Sequence, residues 1–204
     1  MPFFDEIAQA QGQVIVFYSV GSGKMVQFPA FITKFSDDYT VSWGGGNIFG
    51  RVDPIKSYQS TGRRITASFD ILGKDLETSQ KNFANYTELI RMLYPVYSDA
   101  VGTDTFSRTI KAAPLIRIRY VNYIRSDVSD LGLLGCIQGV TFDPKFEAGH
   151  FIGPNGDLVP ISYTMNLVFE PLHEAPLGSD ERGNFLTKNF PYGFDDVPGS
   201  SGLG

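Results

Sequence analysis

From Arg64 to Ile71 the chain alternates without a break: Ile65, Ala67, Phe69 and Ile71 fall on one face of an extended strand, Arg64, Thr66, Ser68 and Asp70 on the other. One face is therefore buried and the other is wet or paired. Residues 13–20, QVIVFYSV, are β-branched and aromatic between two glycines and predict a first strand. A second is predicted over 27–36, where Phe28, Ala30, Ile32 and Lys34 alternate against Phe31, Thr33 and Phe35. Pro29 inside it points to an edge position or a bulge, because proline donates no ladder hydrogen bond. Gly21-Ser22-Gly23-Lys24 would join the two strands as a hairpin. After Asp37-Asp38, YTVSW reads as a short strand that ends at Gly44-Gly45-Gly46. Three glycines in a row are costly to order, so the run is either a flexible tip or a place of close backbone approach.

A single segment carries the helical period. Over 76–94, Leu76, Phe83, Tyr86, Ile90, Leu93 and Tyr94 form one stripe, with Lys81, Asn82, Asn85, Glu88 and Arg91 largely opposite. Asp75 is placed to cap its start and Pro95 to stop it. This helix should lie across a sheet and close one side of the core. Strands resume at 114–124, 131–142 and 158–171, the last two joined by a loop holding the turn Pro154-Asn155-Gly156-Asp157. The prediction is a β-dominated α+β fold: an antiparallel barrel or sandwich with one packed amphipathic helix, about 76–94, and extended termini. Residues 1–173 form its domain, including an N-terminal flank. From 174 to 204 the periodicity ends and Pro, Gly and acidic residues dominate an extended C-terminal arm. Phe185, Phe190, Tyr192 and Phe194 recur along that arm and read as anchors into a neighbouring copy or partner subunit.

Composition narrows the function. A length of 204 residues suits one substantial domain with arms, and 17 Phe, 10 Tyr, 22 Gly and 12 Pro suit strands joined by tight turns. The net charge of −5 argues against specific nucleic-acid binding, which rests on Lys and Arg contacts to phosphate, while leaving passive passage of a polyanion open. Arg117, Arg119 and Arg125 read as a solvated or salt-bridged face. The one cysteine, Cys136, excludes an intrachain disulfide and sits in buried strand sequence. The N-terminus lacks a basic leader and an apolar h-region, and no window reaches the ~18 apolar residues of a membrane span. The expectation is a protein folded in the cytosol without a membrane anchor.

Chemistry is hard to find. GSGK at 21–24 lacks the first glycine of a phosphate loop, where Tyr18 stands, and its hydroxyl, where Met25 stands. His150 and His173, the only histidines, are far apart and have no metal-ligand spacing to another His or Cys. No GxSxG elbow occurs, and Asp37-Asp38 and Asp195-Asp196 sit in turn or tail sequence. No catalytic residue, metal or cofactor is assigned, and an enzyme is not expected.

The order FPAFITKFSDDYTVSW, FGRVDPIKSYQSTGRRITASFDI, an amphipathic helix ending MLYP, APLIRIRYVNYI and LLGCIQGVTFDPKFEAGHF resembles baseplate proteins of contractile-tailed bacteriophages. The likeness is to the tail-tube initiator and hub-adaptor group, related to tail-tube proteins, and covers residues 28 to about 173. Its most specific elements are Gly50-Arg51-Val52-Asp53-Pro54-Ile55, Tyr58 with Thr61 and Arg63, and Met92-Leu93-Tyr94-Pro95. The resemblance implies a six-fold ring of identical copies, each giving strands to a shared barrel. Tail-tube protein and the hub and wedge proteins of the baseplate would be its neighbours, with tape-measure protein and DNA only passing through. Arg51, Asp53 and Arg63 are then candidates for charge pairing within or between subunits, against ordinary surface pairs worth ~0–1 kcal/mol. Trp43 with Phe49, and Tyr58, are further interface candidates, against plain core packing. The competing class is a free-standing β-sandwich that binds carbohydrate, with Trp43 and the tyrosines as stacking platforms.

Overall fold

A computed structural model describes residues 13–47, 49–98, 108–187 and 190–193. Its main element is a seven-stranded antiparallel sheet with the order β2-β1-β7-β8-β11-β4-β3. The strands are β1 Val14–Ser19, β2 Met25–Pro29, β3 Phe31–Gly46, β4 Ile55–Leu72, β7 Ile116–Tyr120, β8 Leu133–Pro144 and β11 Ser162–Pro171. Two small hairpins, β5 Val96–Tyr97 with β6 Ile110–Ala112 and β9 His150–Ile152 with β10 Leu158–Pro160, flank it. Among the described residues the fold is β-dominated with one α-helix, α1 Leu76–Met92, and a short 3-10 turn at Phe146–Ala148.

The two edge strands of this sheet, β2 and β3, are consecutive in sequence and separated by Ala30 alone. The sheet must therefore curl until its edges meet at that residue. Pro29 ends β2 where its missing N–H costs nothing, and the buried corner is satisfied: Ala30 N–H donates to Gln13 O at 3.2 Å and Tyr120 OH donates to Ala30 O at 3.3 Å. No ladder joins β2 to β3, so the predicted barrel or sandwich is one curled open sheet. The strand predicted over 27–36 is likewise two strands broken at this corner.

Ile65, Ala67, Phe69 and Ile71 are all fully buried on the concave side, as the alternation predicts. Phe17 and Phe28 meet them from the other wall of the curl, with ring centroids 6.0 Å apart. Each of the isoleucines and phenylalanines contributes about 1.5–3 kcal/mol by leaving water. The opposite face is paired: Ser68 Oγ donates to Asn166 Oδ1 at 2.7 Å, and Lys145 Nζ and Thr164 Oγ1 donate to Asp70 at 2.6 and 2.7 Å. Burial pushes the Asp70 carboxyl up, but the Lys145 and Thr164 hydrogen bonds outweigh it and hold the group below its ordinary value.

Helix α1 starts as predicted, with Asp75 Oδ1 accepting from Thr78 N–H at 2.8 Å. It stops at Met92, and Tyr94 is exposed rather than part of the stripe. Leu89 and Met92 close the core. Asn82, predicted on the wet face, is buried; its Nδ2 donates to Leu72 O at 3.3 Å, and its main-chain carbonyl accepts from Tyr163 OH at 3.1 Å. An apolar stripe does not reveal such a polar residue, because what admits it is the Leu72 carbonyl at the end of β4, which only the fold turns toward the helix.

Phe69→Ala is expected to lower the unfolding free energy by about 3–5 kcal/mol, and Ser68→Ala on the opposite face by about 1 kcal/mol, in urea titrations.

Candidate functional site

β3 and β4 outrun the sheet. Pairing of β4 with β11 ends at Ile65, whereas pairing with β3 continues from Asp38 with Arg64 to Gly46 with Ile55. The result is a two-stranded arm roughly 30 Å long at ~3.4 Å per residue, with backbone unpaired on both edges among the described residues. Asp37-Asp38 is thus no turn, and YTVSW is no separate strand: both belong to one continuous β3. The glycine run is a close approach rather than a tip. A Cβ on Gly45 would lie 2.4 Å from Ile55 O, and one on Gly44 2.6 Å from Gln59 Nε2.

The arm has two unlike faces. Tyr39 pairs with Arg63, Val41 with Thr61 and Trp43 with Tyr58, and the pleat puts these six on one side. A bulge at Gln59 makes this possible, because one extra residue in β4 moves Tyr58 onto the face of Thr61. Trp43 and Tyr58, 57% and 59% exposed, pack edge to face at 5.8 Å. The other face carries Asp38, Thr40, Ser42, Gly44, Ser57, Ser60, Gly62 and Arg64. The aromatic face continues the core face of the sheet, the polar face its outer surface.

At the root lies a buried ion pair. Arg63 Nε donates to Asp37 Oδ1 at 2.9 Å and Nη2 to Oδ2 at 2.6 Å, with the two side chains 2% and 3% exposed. Tyr39 OH and Tyr192 OH also donate to Asp37 Oδ2, at 3.1 and 2.8 Å. The guanidinium sits 5.4 Å from the Tyr39 ring centre and 5.3 Å from that of Phe190. Burial first, then the hydrogen bond to Asp37, pushes the Tyr192 phenol up to about 12. Burial likewise pushes Tyr39 up, Arg63 opposing it and Asp37 adding to it. Both phenols therefore stay protonated donors.

Phe190 and Tyr192 arrive from the segment after β11, which crosses back over the body. Arg117 grips Glu174 through two hydrogen bonds of 2.7 and 2.6 Å, so the predicted arginine face is salt-bridged there. A short turn follows, closed by the Ser179 and Phe185 bridge. Phe190 then packs edge to face on Tyr39 and His173, and Tyr192 on Tyr123. Between this segment and the arm opens a groove of about 580 Å³ walled by Tyr39, Tyr58 and Thr61 on one side and Ala175, Leu177 and Gly178 on the other.

The predicted interface residues divide. Arg63, Tyr58, Phe190 and the root cluster at the arm, and Arg63 and Tyr192 find their hydrogen-bond partner within the chain. Arg51 and Asp53 lie exposed in the loop between β3 and β4 and make no ion pair among the described residues. Phe49 in that loop is fully exposed, and Phe185 is 77% exposed. Phe194 lies outside the described residues, as do Asp195-Asp196 and the N-terminal flank. Asp37 escaped the sequence reading because an acid pair suggested a turn. The signal was present, since carrying the alternation from Ile65 back one step places Arg63 on the buried face, where it requires a counter-charge.

Among the described residues no group of three or more His, Cys, Asp or Glu is placed to hold a metal, and no helix is long and apolar enough to cross a membrane. No protein-family model matches the chain, and no curated protein matches it. Among solved structures it overlaps loosely with the SPP1 Dit (gp 19.1) protein, described as a paradigm of the hub adsorption apparatus in phages infecting Gram-positive hosts. That overlap has a TM-score of 0.37 and 9% identity, over 77% of this chain and 49% of Dit, so the chain spans about half of Dit's length. It also overlaps with a chain of the tail of an empty GTA particle solved with C6 symmetry, at a TM-score of 0.33 and 10% identity, over 78% of this chain and 91% of that one. Overlaps this loose place no residue and assign no role.

Arg63→Ala strands a buried carboxylate and is expected to cost about 3–5 kcal/mol of stability, most of it regained when Asp37→Leu is added, as measured by urea unfolding of both variants. Glu174 is held below its ordinary value by the Arg117 hydrogen bonds, against a smaller push from burial. Its contribution is present above pH about 4.5 and is lost as pH falls through its lower folded-state value. The melting temperature should fall over that range, less steeply in Glu174→Gln.

Proposed function

We propose that this chain is a structural subunit of a contractile phage tail, forming a ring at the junction of baseplate hub and tail tube. The observation that carries the reading is the arm. A lone two-stranded ribbon with bare edges and an exposed aromatic face is marginal in water, so it calls for neighbours. In a rotationally symmetric ring all arms point the same way. The free β3 edge of one copy then meets the free β4 edge of the next in antiparallel sense, and repetition closes a barrel. The likeness of residues 28–173 to tube-initiator and hub-adaptor proteins supports the same arrangement.

The aromatic face continues the core face, toward which the body lies. In a ring the bodies can only lie outside the barrel, so the polar face looks into the channel. Thr40, Ser42, Ser57 and Ser60 offer hydroxyls rather than cations, and Arg64 stands opposite Asp38, so the face lacks the net positive charge that would hold phosphates as DNA passes. Residues 1–173 would be the ring-forming domain and 174–204 its arm, with tail-tube, hub and wedge proteins above and below. The ring would be assembled in the host cytoplasm and kept in the virion. The edge-to-face packing of Trp43 on Tyr58 leaves no flat pair of rings for a sugar, which counts against the carbohydrate-binding alternative.

Electron microscopy of the purified chain should show rings, and Trp43→Ser with Tyr58→Ser should abolish them while the melting temperature stays within a few degrees of the parent. A parent that sediments as a monomer at every concentration and binds a glycan would sink the proposal.

A further inference from the structure

We infer that the described residues after β11, 172–187 and 190–193, act as a strap that sets the angle of the arm on the body, and that its hold lies in two side chains, Phe190 and Tyr192. Past Ile65 the ribbon has no third strand among the described residues, so its own hydrogen bonds leave its direction relative to the sheet unfixed. Something at the root must fix it. The strap is anchored to the body at its near end, where Leu172 N–H donates to Leu134 O at 2.7 Å and Glu174 meets Arg117. It also touches the body farther on, where Tyr192 packs on Tyr123. Its hold on the arm comes from the Phe190 ring over Arg63 and Tyr39, and from the Tyr192 hydroxyl on Asp37, the root carboxylate that itself binds Arg63 and Tyr39. Those two residues thus tie a fixed body to an otherwise hinged ribbon.

The clasp is built to open without collapse. If Phe190 and Tyr192 leave, Asp37 keeps both Arg63 hydrogen bonds and the one from Tyr39, so no buried charge is left unpaired. Beyond Phe190 the strap and the arm separate, and the groove between them gives the arm room to swing toward Leu177. The strap acts within one chain and holds whether or not copies assemble.

The test is double electron–electron resonance on the dilute full-length chain with Cys136→Ser and spin labels on Ser60→Cys in the arm and Thr87→Cys in α1. The parent should give one narrow distance distribution. Phe190→Ala with Tyr192→Phe should broaden it or shift it by several ångströms, while Phe185→Ala, in the exposed turn, leaves it unchanged. A parent distribution that is already broad, or a clasp variant as narrow as the parent, overturns the inference. Should the double variant fail to fold, Tyr192→Phe alone and Glu174→Gln decide: broadening in either supports the strap, and no change in both overturns it.

Discussion

The Asp37–Arg63 pair is the constraint on which the arm depends. It occupies the last buried positions of the core face, just where β4 loses its third strand. A buried ion pair adds little net stability over apolar residues of the same size, but removing one partner is costly. The pair therefore marks a place rather than supplying much energy. It stops the apolar core from running out along the ribbon, and its four donors to a single carboxylate fix how β3, β4 and the C-terminal strap come together.

Everything inward of that pair is ordinary packing on a curled sheet, with the curl enforced by Ala30 between the two edge strands. Everything outward is a ribbon whose hydrogen bonds satisfy only its two strands. The contrast explains why the same alternation has different outcomes along β4: Phe69 is fully buried, while Tyr58, on the same face farther out, stays exposed. Packing partners, not residue type, make the difference. An exposed aromatic face contiguous with a core is the kind of patch that marks an interaction site.

Much of this was legible in the chain. The strict alternation over 64–71, the Asp75 cap and the hairpin through Gly21 to Lys24 depend on contacts close in sequence, and the structure has them as predicted. The misreadings share a cause. Pro29 points to an edge position or a bulge, and β2 is an edge strand, yet the corner at Ala30 depends on the opposite edge of the sheet. The Gln59 bulge, which puts Tyr58 beside Trp43, adds one residue to β4 with no compositional mark. Asp37 was assigned to a turn because acid pairs usually sit in turns.

By itself, then, the sequence determined the local terms: the strand at 14–19, the helix begun by Asp75, and the apolar face of β4 over 64–71, because period and capping act within a few residues. The tertiary structure alone decided that the sheet curls without closing, that β3 and β4 reach past it as an arm, and that Asp37, Arg63, Phe190 and Tyr192 meet. The physical reason is distance along the chain. The Tyr192 hydroxyl lies 2.8 Å from a carboxylate 155 positions earlier, and no local pattern encodes a partner that only folding brings near.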